Sequence, residues 1–183
     1  MQALSPRSRM LARESRWCLR ANRYGARDGV RRFFAIVSRL GDGVFWYALM
    51  AILVLCDGYD GLFASAHMAC TGLIALMLYK GLKRWTRRPR PFASDVRIRA
   101  WVAPLDEFSF PSGHTLHAVA FTLVAIAHYP VLAWVLVPFA ASVALSRVVL
   151  GLHYPSDVLA ATAIGSGLAG FSLWLIPNAT LFG

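Results

Sequence analysis

The stretch Ser146–Asp157 brings together a guanidinium, an imidazole and a carboxylate: Ser146 and Arg147, five mostly apolar residues, then His153, Tyr154, Pro155, Ser156 and Asp157. Pro155 suits the first turn of a helix, where its missing N–H costs nothing, and it turns Tyr154 away from helical geometry. His153 is therefore expected just outside a helix start, with Asp157 inside the first turn. A carboxylate there can take the N–H of one imidazole nitrogen and leave the other free to attack. Arg147, closing the preceding apolar run, can hold the anion under attack. Taken alone, the same residues are also what two capped helix ends look like.

Two further blocks carry polar chemistry. Pro111-Ser112-Gly113-His114 opens an apolar run, where glycine lets backbone approach a ligand closely and the free N–H groups of a helix start favour an anion. His114 would face that anion. Before it, Lys80, Lys83, Arg84, Arg87, Arg88 and Arg90 crowd the end of another apolar run, with Pro89 and Pro91 preventing a regular helix. Such a run is an orientation signal or a headgroup contact when nothing else joins it. His117 lies one turn past His114, but no third ligand at metal-binding spacing accompanies the pair. His67 is read as a helix–helix hydrogen-bonding residue, and the widely spaced Cys18, Cys56 and Cys70 as packing residues.

The elements that position these blocks are apolar. The chain is 57% hydrophobic with mean hydropathy +0.52, too apolar for an ordinary soluble domain. Apolar segments at roughly 43–57, 62–82, 113–128, 131–149 and 156–176 predict an all-α, multi-pass transmembrane bundle of about five spans. Asp57-Gly58-Tyr59-Asp60-Gly61 is the expected turn between the first two, with its carboxylates in solvent. In the last span Ala161, Gly165 and Ala169, and likewise Ala163 and Gly167, recur every fourth residue and predict faces for close helix packing. Asn178-Ala179-Thr180 matches a glycosylation sequon, discounted in the absence of a secretory context.

Residues 1–40 carry ten of the nineteen basic residues. Arg9, Arg13, Arg16, Arg20, Arg23 and Arg27 alternate steps of four and three, which makes one basic helical face. Residues 1–40 are thus read as a basic amphipathic membrane-surface segment lying on anionic headgroups, and 41–183 as the transmembrane domain. No apolar signal peptide is visible there, so the first membrane helix is expected to insert the chain. The net charge of +10 sits beside membrane segments rather than on a soluble fold, which argues against nucleic acid as partner.

With five spans, the loops after the second and fourth emerge on one side, with the N-terminus. The positive-inside rule puts that side in the cytoplasm, in a cell-membrane protein. There Lys83, Arg90, Ser112, His114, Arg147, His153 and Asp157 share one polar layer. Three cations, a helix start and two imidazoles are what phosphoryl transfer from a lipid headgroup needs if no metal is used. His153 would attack phosphorus, Asp157 would stabilise the imidazolium that results, and His114 would protonate the departing alkoxide.

Lys83 with six residues before Arg90-Pro91, then Pro111-Ser112-Gly113-His114, then Ser146-Arg147 with five residues before His153 and three before Asp157, resembles the tripartite signature of the type 2 phosphatidic acid phosphatases. All three blocks match in order, over about residues 80–160. The resemblance implies that Lys83, Arg90, Ser112, Gly113 and Arg147 bind phosphate, that His114 is the acid, and that His153 is the nucleophile assisted by Asp157. It also implies a metal-independent enzyme without a cofactor, acting on a lipid phosphate. A lipid phosphotransferase using the same phosphohistidine, and a non-enzymatic protein binding anionic lipid, are the alternatives.

Overall fold

The computed structural model describes residues 6–176, with side chains from residue 11 onward. The Asn178-Ala179-Thr180 sequon and the Arg9 side chain lie outside the described residues. Within them the fold is helical, with no strand.

The basic segment forms two helices, α1 (Pro6–Gly25) and α2 (Asp28–Gly41), instead of the single amphipathic helix expected. Arg13, Arg16, Arg20 and Arg23 are exposed on α1, as their spacing predicts. Glu14, Cys18 and Asn22, spaced by four on the opposite face, are buried. That face is turned to protein. Asn22 Nδ2 donates to the carbonyls of Arg99 (2.9 Å) and Val149 (3.0 Å), and its Oδ1 accepts the Arg99 N–H (2.9 Å). On α2, Phe33, Ile36 and Leu40 recur on one exposed face.

α3 (Val44–Thr86) is doubled back on itself at Gly58, whose φ of 52° and ψ of −116° suit a residue without a Cβ. Ser65 Oγ donates to the Met50 carbonyl at 3.0 Å across the reversal. The two arms, 44–57 and 59–86, therefore run antiparallel, and the turn expected from Asp57 to Gly61 is where the chain reverses. Asp57 is not simply solvated: it accepts the Tyr129 hydroxyl at 2.5 Å. α3 ends at Arg87, left-handed at φ 45°, and the proline-flanked run passes into the short α4 (Pro91–Ser94).

α5 (Gly113–His128) runs through the middle, with α3, α6 (Ala133–Val149) and α7 (Pro155–Leu175) packed around it. Trp46, Leu53, Met68, Phe121, Val124, Leu136 and Val143 form the main apolar core. The α5–α7 seam is close because Ala161, Gly165 and Ala169 are buried along it, and a Cβ on Gly165 would come within 2.8 Å of the Leu116 carbonyl. Ala163 and Gly167 are exposed, so among the described residues nothing covers the second small-residue face. Cys56 and Cys70 are exposed too, and of the three cysteines only Cys18 is buried. His67 makes the helix–helix contacts expected of it, to His128 Nε2 at 3.1 Å and to Ser172 Oγ.

Among the described residues, three helical stretches are long and apolar enough to cross a membrane: Val44–Ser94, Pro130–Val149 and Pro155–Leu175. A count of five requires both arms of α3 and the 16-residue α5 to cross as well.

Gly61 tests the reversal. A Cβ there would lie 1.9 Å from the Leu53 carbonyl oxygen, which is backbone and cannot step aside. Gly61→Ala is expected to cost about 3 kcal/mol or more, lowering the Tm of the detergent-solubilised protein by on the order of 6–12 °C. Gly81→Ala, where a Cβ meets nothing within 4 Å, is expected to leave Tm unchanged or raised.

Candidate active site

The site lies at the end of the bundle where α3 stops, α5 and α7 start, and α6 stops. Arg147 is in the last turn of α6, and its carbonyl accepts the N–H groups of both Leu152 (3.0 Å) and His153 (3.1 Å). This tight return needs Gly151 at φ 76°, where a Cβ would come within 2.4 Å of the Arg99 carbonyl. Tyr154 then caps α7, Pro155 opens it, and Asp157 Oδ2 accepts the Tyr154 N–H at 2.8 Å. The local geometry is the one Pro155 predicts.

His153 is 1% exposed. Its Nδ1 faces Asp157 Oδ2 at 3.6 Å, longer than a hydrogen bond. Its Nε2 receives Arg90 Nη1 at 3.3 Å. A guanidinium only donates, so Nε2 must carry the lone pair and Nδ1 the proton. Burial, and then the charges of Arg147, Arg90 and Lys83, push the imidazole well below its ordinary value of 6.5, so the ring is neutral at pH 7. Asp157, fully buried, is fixed by Arg88 Nη1 at 2.8 Å.

Lys83 and Arg90 are both buried and both hold Asp106: Lys83 Nζ is 2.6 Å from each carboxylate oxygen, and Arg90 Nη2 is 2.8 Å from Oδ1. Burial works to raise the Asp106 carboxyl, but the two cations outweigh it and hold the group below the usual carboxylate value. Arg90 also donates to the Leu152 carbonyl at 2.8 Å, which ties the first block to the third. Arg147 is 3% exposed; its Nη1 donates to Ser38 Oγ on α2, while its Nε has no hydrogen-bond partner among the described residues.

His114 stands in the first turn of α5 with Nε2 against Asp42 Oδ1. Ser112 caps that helix, its Oγ accepting the Thr115 N–H at 3.4 Å and pairing with Thr115 Oγ1 at 2.9 Å, so its hydroxyl is engaged within the helix start. His117 does not join His114: its two nitrogens contact the Gly113 and Gly72 carbonyls at 3.0 and 3.1 Å. Among the described residues no group of three or more His, Cys, Asp or Glu is arranged to hold a metal ion.

Lys83, Arg90, Gly113, His114, Arg147 and His153 line one cavity of about 830 Å³. Ser112 and Asp157 stand behind it. From the polar end the cavity continues between the two arms of α3, where Trp46, Met50, Leu73, Leu76 and Phe121 line it. Both imidazoles thus reach one space that is cationic at one end and apolar at the other.

Several residues at the site carried no mark in the sequence. Neither Asp42 nor Asp106 belongs to any of the three blocks, and Arg88 stood only as one of a basic run. Arg88 in fact joins three elements, with Nη1 also 2.7 Å from Ser156 Oγ, Nη2 2.5 Å from Glu14 Oε2, and the guanidinium 4.2 Å from the Tyr154 ring centroid. Its place between Lys83 and Arg90 was the available signal. Cys18 Sγ lies 3.7 Å from the His153 carbonyl, and burial above all pushes its thiol up to about 12, so it is inert packing.

Sequence and structure comparisons find similar proteins. Phosphatidylglycerophosphatase B of Bacillus subtilis is 36% identical over 149 residues, covering 71% of this chain and 61% of the relative. The undecaprenyl-diphosphatase BcrC of the same organism is 29% identical over 106 residues, covering 58% and 50%. The Escherichia coli phosphatidylglycerophosphatase B matches at 36% over 77 residues, 37% of this chain and 29% of the relative. The matched regions thus span less than two thirds of each relative's length. Among solved structures, a transmembrane PAP2-type phosphatidylglycerolphosphate phosphatase from Bacillus subtilis superposes with a TM-score of 0.75 at 23% identity, covering 95% of this chain and 89% of the other. Aquifex aeolicus LpxE does so at 0.71 and 24%, covering 81% and 87%. With the PAP2 superfamily profile matching residues 61–181, two thirds of the sequence and all three blocks, this helical membrane protein belongs to the PAP2 superfamily.

Proposed function

We propose that the protein is a lipid phosphate phosphatase that works without a metal, through a phosphohistidine on His153. The observation that carries this reading is the shared cavity: two imidazoles and three buried cations open on the same space, which continues into an apolar cleft able to take a lipid chain. The names of the relatives, phosphatases of phosphatidylglycerophosphate and of undecaprenyl diphosphate, support a lipid phosphate as substrate class.

In this reading Lys83, Arg90 and Arg147 hold the phosphoryl oxygens and neutralise the charge that develops on them. The Nε2 lone pair of His153 attacks phosphorus, and the ester P–O bond breaks as His114 gives its proton to the leaving oxygen. The charge left on the His153 ring is met by Asp157, which Arg88 and the Tyr154 N–H hold in place. Water then attacks the phosphohistidine, His114 takes a proton from it, and the P–N bond breaks to release phosphate. The exposed arginines of α1 lie at this same end of the bundle and suit contact with anionic headgroups. With the basic residues concentrated there, the positive-inside rule favours a site facing the cytoplasm.

Three outcomes follow. His153→Ala is expected to lower phosphate release from a panel of lipid phosphates by about 10³-fold or more, and EDTA to leave the parent rate intact; full activity in the variant removes the nucleophile from this scheme. The reactive form of His153 is neutral and its pKa is lowered, so activity is lost only as pH falls through that lowered value: the acid limb of kcat/KM should lie below pH 6.5, and a limb above it contradicts a neutral resting imidazole. Finally, five spans with a cytoplasmic site put the C-terminus outside, and a C-terminal reporter fusion that reads cytoplasmic overturns this orientation.

A further inference from the structure

Asp42 lies outside all three sequence blocks, yet it touches the site. Gly41-Asp42-Gly43 joins α2 to α3, and both glycines fix where the carboxylate goes. Gly41 is buried against Val143, which a Cβ would meet at 3.1 Å, and Gly43 takes φ 134° so that α3 can start at once. One turn earlier on α2, Ser38 Oγ accepts Arg147 Nη1, so the end of α2 is docked onto a residue of the cavity wall. Asp42 is then held with its Oδ1 on His114 Nε2.

The charges around His114 give this contact its meaning. Burial first, and then the charges of Arg147 from α6 and Lys83 from α3, work against an imidazolium here, and the bond to Asp42 and its charge work for one. Asp106 is committed to Lys83 and Arg90, and Asp157 to Arg88 and the Tyr154 N–H, while Glu107, the other acid of the cavity lining, makes no ion pair with His114. A general acid must begin the reaction protonated. Asp42 is the carboxylate that faces it. Although burial works to raise the Asp42 carboxyl, the bond from His114 and the charges of Arg147 and Arg39 hold it below the usual value, so it is ionised.

We propose that Asp42 is the positioning residue of the general acid: it takes the Nε2–H of His114, holds the ring at the cavity, and leaves Nδ1 to hand its proton to the departing lipid oxygen. This rests on the reading of His114 as the acid. The proton balance is simple, since the imidazolium loses one proton from Nδ1 to the alkoxide and the neutral ring keeps Nε2–H on Asp42.

The test compares two leaving groups in the full-length protein. An alkyl lipid phosphate needs a proton on its leaving oxygen, whereas a long-chain nitrophenyl phosphate does not, so the ratio of aryl to alkyl kcat/KM, which stops short of the shared hydrolysis of the phosphohistidine, reports the acid whatever fraction of a variant is folded. Asp42→Asn is expected to raise that ratio by about 10²-fold or more, with KM for the alkyl substrate within about twofold, and Asp42→Glu to leave it near the parent value. His114→Ala is expected to raise it at least as far. A raised ratio in His114→Ala with an unchanged ratio in Asp42→Asn overturns this inference alone, as does a ratio in Asp42→Glu raised to that of Asp42→Asn. An unchanged ratio in both His114→Ala and Asp42→Asn removes the acid role of His114 and the inference with it.

Discussion

Four positive side chains are packed into one end of an apolar helical bundle, and the cost of desolvating them governs how the rest of the site is built. An isolated charge cannot be buried in such surroundings; it has to meet a counter-charge or a set of hydrogen-bond acceptors. Lys83 and Arg90 meet Asp106, Arg88 meets both Glu14 and Asp157, and Arg147 meets Ser38 on α2. Each of these partners comes from a different part of the chain than the cation it serves. The site is therefore also a closure device: the same contacts that position its cations hold α1, α2 and the 95–112 loop onto the bundle.

This gives the N-terminal helices a part in the site. α1 supplies Glu14 to Arg88 and to the Ser156 N–H at 3.2 Å, packs Cys18 beneath His153, and stitches Asn22 to the turn at Arg99 and to the end of α6. α2 supplies Ser38 and hands the chain to Asp42. From residue 11 onward the N-terminal helices thus have two faces, an exposed arginine face and an inner face that braces the return from Arg147 to Tyr154.

The sequence carried the parts of this fold that are encoded locally. Pro155 foretold the helix start beside His153, Pro89 and Pro91 the break after Lys83, and the Asp-Gly-Tyr-Asp-Gly turn the reversal that brings both ends of α3 to one end of the bundle. The step-of-four pattern of Ala161, Gly165 and Ala169 foretold the seam with α5, but the same pattern at Ala163 and Gly167 lies on a face of α7 that no described element covers. What could not be read were pairings set by tertiary approach. Nothing periodic relates Asp42 to His114 or Glu14 to Arg88, and a lone acid between two helices reads as a solvated loop charge until the helices are folded together. Ser112 shows the converse: its type fits an anion site, yet its hydroxyl is taken by the helix it caps.

In this structure Lys83 and Arg90 already hold an anion, the Asp106 carboxylate. The Asp106 side chain is 39% exposed on a loop while the Lys83 and Arg90 side chains it grips are buried, so the negative member of the trio is the one that solvent reaches. Whatever anion comes to these two side chains enters by exchange, taking them from a resident competitor of the same charge sign. The strength with which the pocket keeps any such visitor is then a difference between two affinities, which lets a deep, strongly cationic pocket release what it holds instead of trapping it.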